Sequence, residues 1–190
     1  SRVLEIKLRA SRMRIVCSDA SSQILLSVVT PISKMAGRLQ RLEEWLSSVA
    51  NSPMEVILIH DRQDAMTGPQ IQSLLSKISN PKIQLIEDYF GSPGLARNRG
   101  IELAKGNWIC FWDSDDLPNL GVALGPINSD LASKADCLIT NFDSVNEISK
   151  EVIAHQLTAN FEEELGLNPG LWRMYFKYSA VADLRFGPLR

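Results

Sequence analysis

Residues 94–116 read GLARNRGIELAKGNWICFWDSDD, and their order carries the architecture. Leu95 to Ala104 is expected to be a helix entered from the glycine-bearing loop Gly91–Gly94, and Lys105-Gly106-Asn107 then turns the chain into the apolar run Trp108–Trp112. That run ends in acid, at Asp113-Ser114-Asp115-Asp116. Gly94 is expected to release the chain into unusual dihedrals before the helix, and Gly106 to close the helix in the left-handed conformation.

The same alternation extends upstream. Ile24 to Thr30 is apolar, partly β-branched and stopped by Pro31, as suits a strand buried on both faces. Leu39, Leu42, Trp45, Leu46 and Val49 then recur at helical spacing. Val56–Ile59 forms a second apolar run ending at His60-Asp61, Ile71, Leu74, Leu75 and Ile78 mark a second helix, and Ile83–Ile86 a third strand. Strands alternating with helices require crossover connections, so the fold class is α/β with mostly parallel pairing. Downstream, Leu120, Ala123, Leu124, Ile127 and Leu131 suggest one more helix and Cys137–Thr140 one more strand, after which periodicity weakens.

At 190 residues and 45% hydrophobic content the chain can bury a sizeable core. A formal net charge of -2 and a pI near 5.7 exclude an overall electrostatic case for nucleic acid. Arg2, Lys7, Arg9, Arg12 and Arg14 make the opening segment locally basic. It reads as a helical or loose extension with a solvated charged face, contact with a polyanion or, peripherally, with the inner face of a membrane being the alternative. Cys17, Cys110 and Cys137 are too dispersed for a zinc site or redox pair and read as small buried residues in a reducing compartment. Without an apolar run of about 20 residues or the order of a signal peptide, the expected location is cytoplasmic.

In open α/β sheets ligands collect beyond the carboxyl ends of strands, which brings Thr30, Asp61 and the 113–116 tetrad forward. Three carboxylates within four residues repel one another unless a cation or several donors compensate. Oxygen-only ligands point to Mg2+ or Mn2+, and Mg2+ binds through one or two carboxylates plus substrate phosphates. The plain alternative is a solvated turn whose aspartates cap the next helix. His60, Lys34 and Met35 lie near strand ends, and a lone His there is more often a packed or surface residue than a ligand. Glu162, Glu163 and Glu164 read as a charged helix face.

The ordered set Gly94-Leu95-Ala96-Arg97-Asn98-Arg99-Gly100-Ile101, Ala104-Lys105-Gly106-Asn107-Trp108-Ile109 and Phe111-Trp112-Asp113-Ser114-Asp115-Asp116, with Ser27-Val28-Val29-Thr30-Pro31 upstream, resembles the family 2 glycosyltransferases of the GT-A fold. The resemblance covers roughly residues 24–145. It implies a Rossmann-like, mostly parallel central sheet flanked by helices, and an inverting transfer from a nucleotide-diphosphate sugar, expected to be a UDP-sugar, to a hydroxyl of a carbohydrate or lipid-linked acceptor. By the same resemblance Thr30 and Asp61 contact the nucleotide, Asp113 stands near the donor sugar, Asp115 faces ribose or metal, and Asp116 is the principal ligand of Mn2+ or Mg2+. Arg97 serves phosphate or pairs with an aspartate of the tetrad.

Two departures from the family pattern stand out. His60-Asp61-Arg62-Gln63 replaces the usual Asp-Asp-Gly-Ser, and the resemblance leads one to expect the acidic motif that supplies the catalytic base only beyond the last residue. The expected organisation is therefore an N-terminal extension (1–23), a nucleotide-sugar-binding domain (24–145) and an incomplete acceptor-side segment (146–190). Leu171, Trp172, Tyr175 and Phe176 would be left uncovered there and favour homo-oligomers. The rival reading is a noncatalytic sugar-nucleotide-binding or interaction module. A dinucleotide-dependent oxidoreductase is disfavoured, because Thr30–Gly37 lacks the glycine fingerprint.

Overall fold

The computed structural model describes residues 4–6, 24–35, 37–114, 116, 118–146, 148–158, 160–167 and 169–187; for 4–6 and 161 it describes the backbone alone. Along the chain run β1 (Leu4–Ile6), β2 (Leu26–Ile32), α1 (Leu39–Ser48), β3 (Met54–Asp61), α2 (Thr67–Ile78), β4 (Ile83–Asp88), α3 (Pro93–Leu103), β5 (Trp108–Phe111), α4 (Leu120–Ala123) and β6 (Cys137–Ile139). Then come β7 (Phe142–Val145), β8 (Val152–His155), α5 (Phe161–Leu167), β9 (Met174–Lys177) and α6 (Tyr178–Val181). The main sheet has seven strands in the order β1-β6-β9-β5-β2-β3-β4, and β7 and β8 form a separate hairpin. Strands β4, β3, β2 and β5 are mutually parallel, whereas β9 runs antiparallel between β5 and β6.

Strand alternation sorts apolar side chains to two faces. Val28, Val56, Leu58 and Cys110 pack with Leu42, Trp45, Leu46, Ile71 and Leu74 of α1 and α2. Val29, Ile57, Ile59, Ile109 and Phe111 pack with Ala96 and Ile101 of α3. Both sides of the parallel region are therefore covered, which explains its nearly unbroken apolar runs.

α3 lies unusually close to β2. Any Cβ on Gly100 would run into the Val29 side chain, and one on Gly106 would stand 2.6 Å from the Ser27 nitrogen. The Gly106 and Lys105 amides donate to Ser27 Oγ at 2.8 and 3.2 Å, Ser27 Oγ donates to the buried Glu55 carboxylate at 2.6 Å, and the Lys105 amide donates to the same carboxylate at 2.7 Å. Neither Gly94 nor Gly106 has a positive φ, which corrects the expectation of unusual dihedrals there; both glycines answer to crowding. The left-handed glycine of this region is Gly91, at φ 72°.

Other expectations change for identifiable reasons. Pro31 does not end β2: the strand continues to Ile32 against β3, beyond its last register pair with β5, where one side is open and a missing N–H is tolerated. Leu4–Ile6 is neither helical nor loose but pairs with β6; the rest of the basic opening segment, with Cys17, lies outside the described residues. The helix expected over Leu120–Leu131 shortens to α4, because Gly125-Pro126 interrupts it, and Asp130–Ser133 is a 3-10 turn.

The segment beyond residue 145 contributes a strand to the main sheet. Tyr175 is buried, and Leu171, Trp172 and Phe176 pack partly buried against the core clusters, so the expected uncovered apolar surface is not formed. Glu164 does not belong to a charged face: it is buried and pairs with buried Arg173 at 2.6 Å, with the Thr158 amide on its other oxygen at 2.8 Å. Glu162 and Glu163 are exposed as expected. His60 is packed as expected, and Cys110 and Cys137 are buried, with burial pushing the Cys137 thiol up to about 12. Among the described residues no helix is long and apolar enough to cross a membrane.

Two outcomes follow from this packing. Gly106→Ala is expected to destabilise the fold by about 1–3 kcal/mol in urea unfolding, because the obstructing atoms are backbone. Glu164→Gln should cost about 3–5 kcal/mol by the same measurement, since it strands the Arg173 charge in the interior.

Candidate functional site

The strand order reverses at β2: β3 and β4 extend the sheet to one side, β5 and β9 to the other. A reversal of this kind leaves a crevice beyond the carboxyl ends of the central strands, the place where open α/β sheets bind ligands. A cavity of about 480 Å³ occupies that position. Ser33 and Arg38 enter it from the segment after β2, Gly94 and Arg97 from α3, and Asp113 from the segment after β5. Phe186 and Gly187, from the segment after α6, complete the wall.

The acidic tetrad begins one residue beyond the buried Trp112. Its first turn is closed by two backbone-directed bonds: the Asp113 amide donates to Asp116 Oδ2 at 2.8 Å, and the Asp116 amide to the Asp113 carbonyl at 3.1 Å. Arg97 Nη2 donates to Asp113 Oδ1 at 2.6 Å. Of the two roles open to Arg97, pairing with the tetrad is therefore realised, and the guanidinium still faces the cavity. With side-chain exposures of 18% and 42%, that pair is partly solvated and adds little to stability. Its effect is to orient the guanidinium.

Thr30 lies beneath the site instead of lining it. It is fully buried, its Oγ1 finds no partner among the described residues, and the lining comes from Pro31 and Ser33 just after it. Asp61 stands at the end of β3 and does not line the cavity. It accepts from the Gly91 amide at 2.7 Å and the Gln63 amide at 3.0 Å, tying the loop before α3 to the loop after β3. Asp115 lies outside the described residues, and among the described residues no three His, Cys, Asp or Glu side chains converge as a metal cluster. The retained donors, Asp113 and the partly buried Asp116, are hard carboxylate oxygens.

Several contributors had no counterpart in the sequence reading. Ser33 and Arg38 follow the first strand closely and could have been found by inspecting every polar residue there. Phe186 and Gly187 arrive from far along the chain, and no local signal marks them. Asp64 Oδ2 accepts from the Lys34 amide at 2.6 Å and from the Thr67 hydroxyl at 2.5 Å, so it clamps the loop bearing Ser33 to the start of α2. Lys34 is held at φ 51°, a conformation that costs a non-glycine residue energy and needs such a fixture.

A family model described as Glycosyl transferase family 2 matches residues 27–188, most of the chain. The chain belongs to glycosyl transferase family 2. This family 2 chain is 33% identical over 96 residues to the amylovoran biosynthesis glycosyltransferase AmsB of Erwinia amylovora, a match covering 49% of the chain and 31% of AmsB. It is 26% identical over 123 residues to the glycosyltransferase GlyG of Streptococcus pneumoniae, covering 65% of the chain and 40% of GlyG. The matched region thus spans well under half of either relative. Among solved structures, residues 1–349 of S. aureus TarS in complex with UDP-GlcNAc superpose with a TM-score of 0.64 at 17% identity, covering 86% of the family 2 chain and 48% of TarS. That likeness establishes the GT-A fold, which the reversed strand order and helix-covered sheet also express.

The Asp64 clamp has a signature in acid. Hydrogen bonds from the Thr67 hydroxyl, first, and then the Lys34 amide hold its carboxyl down at about 2. An unfolded aspartate titrates near 4, above the folded value, so the stabilisation is complete above about pH 4 and is lost as pH falls toward 2. The stability difference between the wild type and Asp64→Ala, measured by urea unfolding, should be flat at neutral pH and shrink below about pH 4.

Proposed function

We propose that this chain is the donor-binding core of a metal-dependent, inverting glycosyltransferase that moves a sugar from a nucleotide diphosphate, a UDP-sugar in the first instance, to a hydroxyl of a carbohydrate or lipid-linked acceptor. The observation that carries the reading is the cavity at the β2–β5 reversal, lined by an arginine held by an aspartate at the carboxyl edge of the sheet. Its volume of about 480 Å³ is within the usual 300–1,000 Å³ range of small-molecule sites. UDP-GlcNAc in the TarS complex supports the same substrate class, and the glycosyltransferase name of AmsB the same reaction type.

Each residue has a definite task in this proposal. Arg97 and Arg38 offer guanidinium donors to the diphosphate, whose charge and geometry they match. Asp113, which orients Arg97, stands near the donor sugar, and Asp61 accepts from base or ribose. Thr30 supports the floor. Asp116 and Asp115 are the residues that would hold Mn2+ or Mg2+; hard oxygen donors at a strand terminus fit that role, because such ions bind through one or two carboxylates and the phosphates. When bound, the cation would supply charge stabilisation to the leaving diphosphate. The protein's own arginines act in the same sense, holding donors where negative charge grows as the acceptor hydroxyl attacks the anomeric carbon.

Calorimetric titration of UDP tests the reading. UDP is expected to bind in the presence of Mn2+, and Asp116→Asn, which keeps an oxygen for the Asp113 amide but removes the charge, should weaken that binding at least about tenfold. Absence of binding by UDP, GDP and other nucleoside diphosphates to a folded wild type would overturn it.

A further inference from the structure

Asn98 sits beside Arg97 on α3 yet does not line the cavity. Its amide is committed to one residue 88 positions along the chain: Nδ2 donates to the Phe186 carbonyl at 3.0 Å, and Oδ1 accepts from the Phe186 amide at 2.8 Å. A side chain that satisfies both backbone groups of one residue does what a neighbouring strand would do, and a segment outside the sheet needs such a partner. Phe186 is also seated by packing. Its ring meets Phe111 edge-on at a centroid separation of 5.5 Å, and Gly94 leaves it room, since a Cβ there would stand 3.1 Å from Phe186 Cβ. The Arg97 guanidinium lies 6.0 Å from the Phe186 ring centroid, while Asp113 holds the same guanidinium by Nη2.

We infer that Asn98 is a positioning residue for the donor site: it latches the Phe186–Gly187 wall to α3 and, through the Phe186 ring, sets the Arg97 guanidinium between that ring and Asp113. The inference rests on the donor-site reading above. Through the latched ring the arginine is ordered before a ligand arrives, so binding does not have to order it. The latch also accounts for the adjacency of Arg97 and Asn98. Consecutive residues on a helix point about 100° apart, so one reaches the cavity while its neighbour reaches the segment that walls it.

The test is UDP titration in the presence of Mn2+ with four proteins: wild type, Asn98→Ala, Arg97→Ala and the double variant. Asn98→Ala is expected to weaken UDP binding about tenfold in the wild-type background and less than about twofold when Arg97 is already absent, because the effect is transmitted through that guanidinium. An equal loss in both backgrounds would show a merely structural role and overturn the inference, as would Asn98→Ala binding UDP like the wild type. If Asn98→Ala does not fold, Phe186→Leu replaces it; this variant keeps the backbone latch but removes the ring beside Arg97, and unchanged UDP affinity would overturn the inference. A wild type that binds no nucleoside diphosphate removes the donor reading and the latch together, whereas normal wild-type binding with an unaffected Asn98→Ala removes the latch alone.

Discussion

The approach of α3 to β2 is the contact on which the rest of this molecule depends. It is possible because Gly100 presents no side chain to Val29 and Gly106 none to the Ser27 backbone. The turn between α3 and β5 is then locked by the buried Ser27–Glu55 pair, which accepts the Lys105 and Gly106 amides. A larger residue at either glycine would lift the helix away from the sheet, in an interior packed too tightly to absorb the change. The helix so fixed carries Gly94 and Arg97 into the cavity and Asn98 onto the segment that walls it.

Charge around the site is managed by local donors. Asp113 is matched by Arg97, Asp116 accepts the Asp113 amide, Asp61 accepts two loop amides, and Asp64 gathers the Lys34 amide and Thr67 hydroxyl. Asp116, Asp61 and Asp64 therefore also fix backbone, and the last two tie neighbouring loops to one another. Arg38 and Arg97 place two cations on the same cavity. One of the two, Arg97, is held against Asp113 at 2.6 Å, so positive and negative groups meet on the same wall.

The segment after residue 145 completes the architecture. β9 enters between β5 and β6, antiparallel to both, and so closes the central strands on the side away from β3. It buries Tyr175 and carries the chain on to Phe186 at the cavity. The buried Glu164–Arg173 pair, with the Arg173 guanidinium 5.6 Å from the Phe142 ring centroid, anchors the start of this strand. The late segment is thus part of the site's scaffold.

Local pattern determined a good deal by itself. Apolar runs and helical spacing marked β2 to β5 and α1 to α3, because strand and helix periodicities are imprinted wherever both faces of a sheet must be covered. The order of helix, glycine turn, strand and acid pointed to the family and to Arg97 and Asp113, which the structure brings together. Tertiary structure alone decided the rest. It put Thr30 beneath the cavity, gave Gly94 and Gly106 their reason in crowding, buried Glu164, and inserted β9 into the sheet. It also brought Phe186 to Asn98 across 88 residues. The reason is physical: spacing along a chain encodes which face of its own element a residue occupies, whereas contact between distant segments is set by packing that no local window contains.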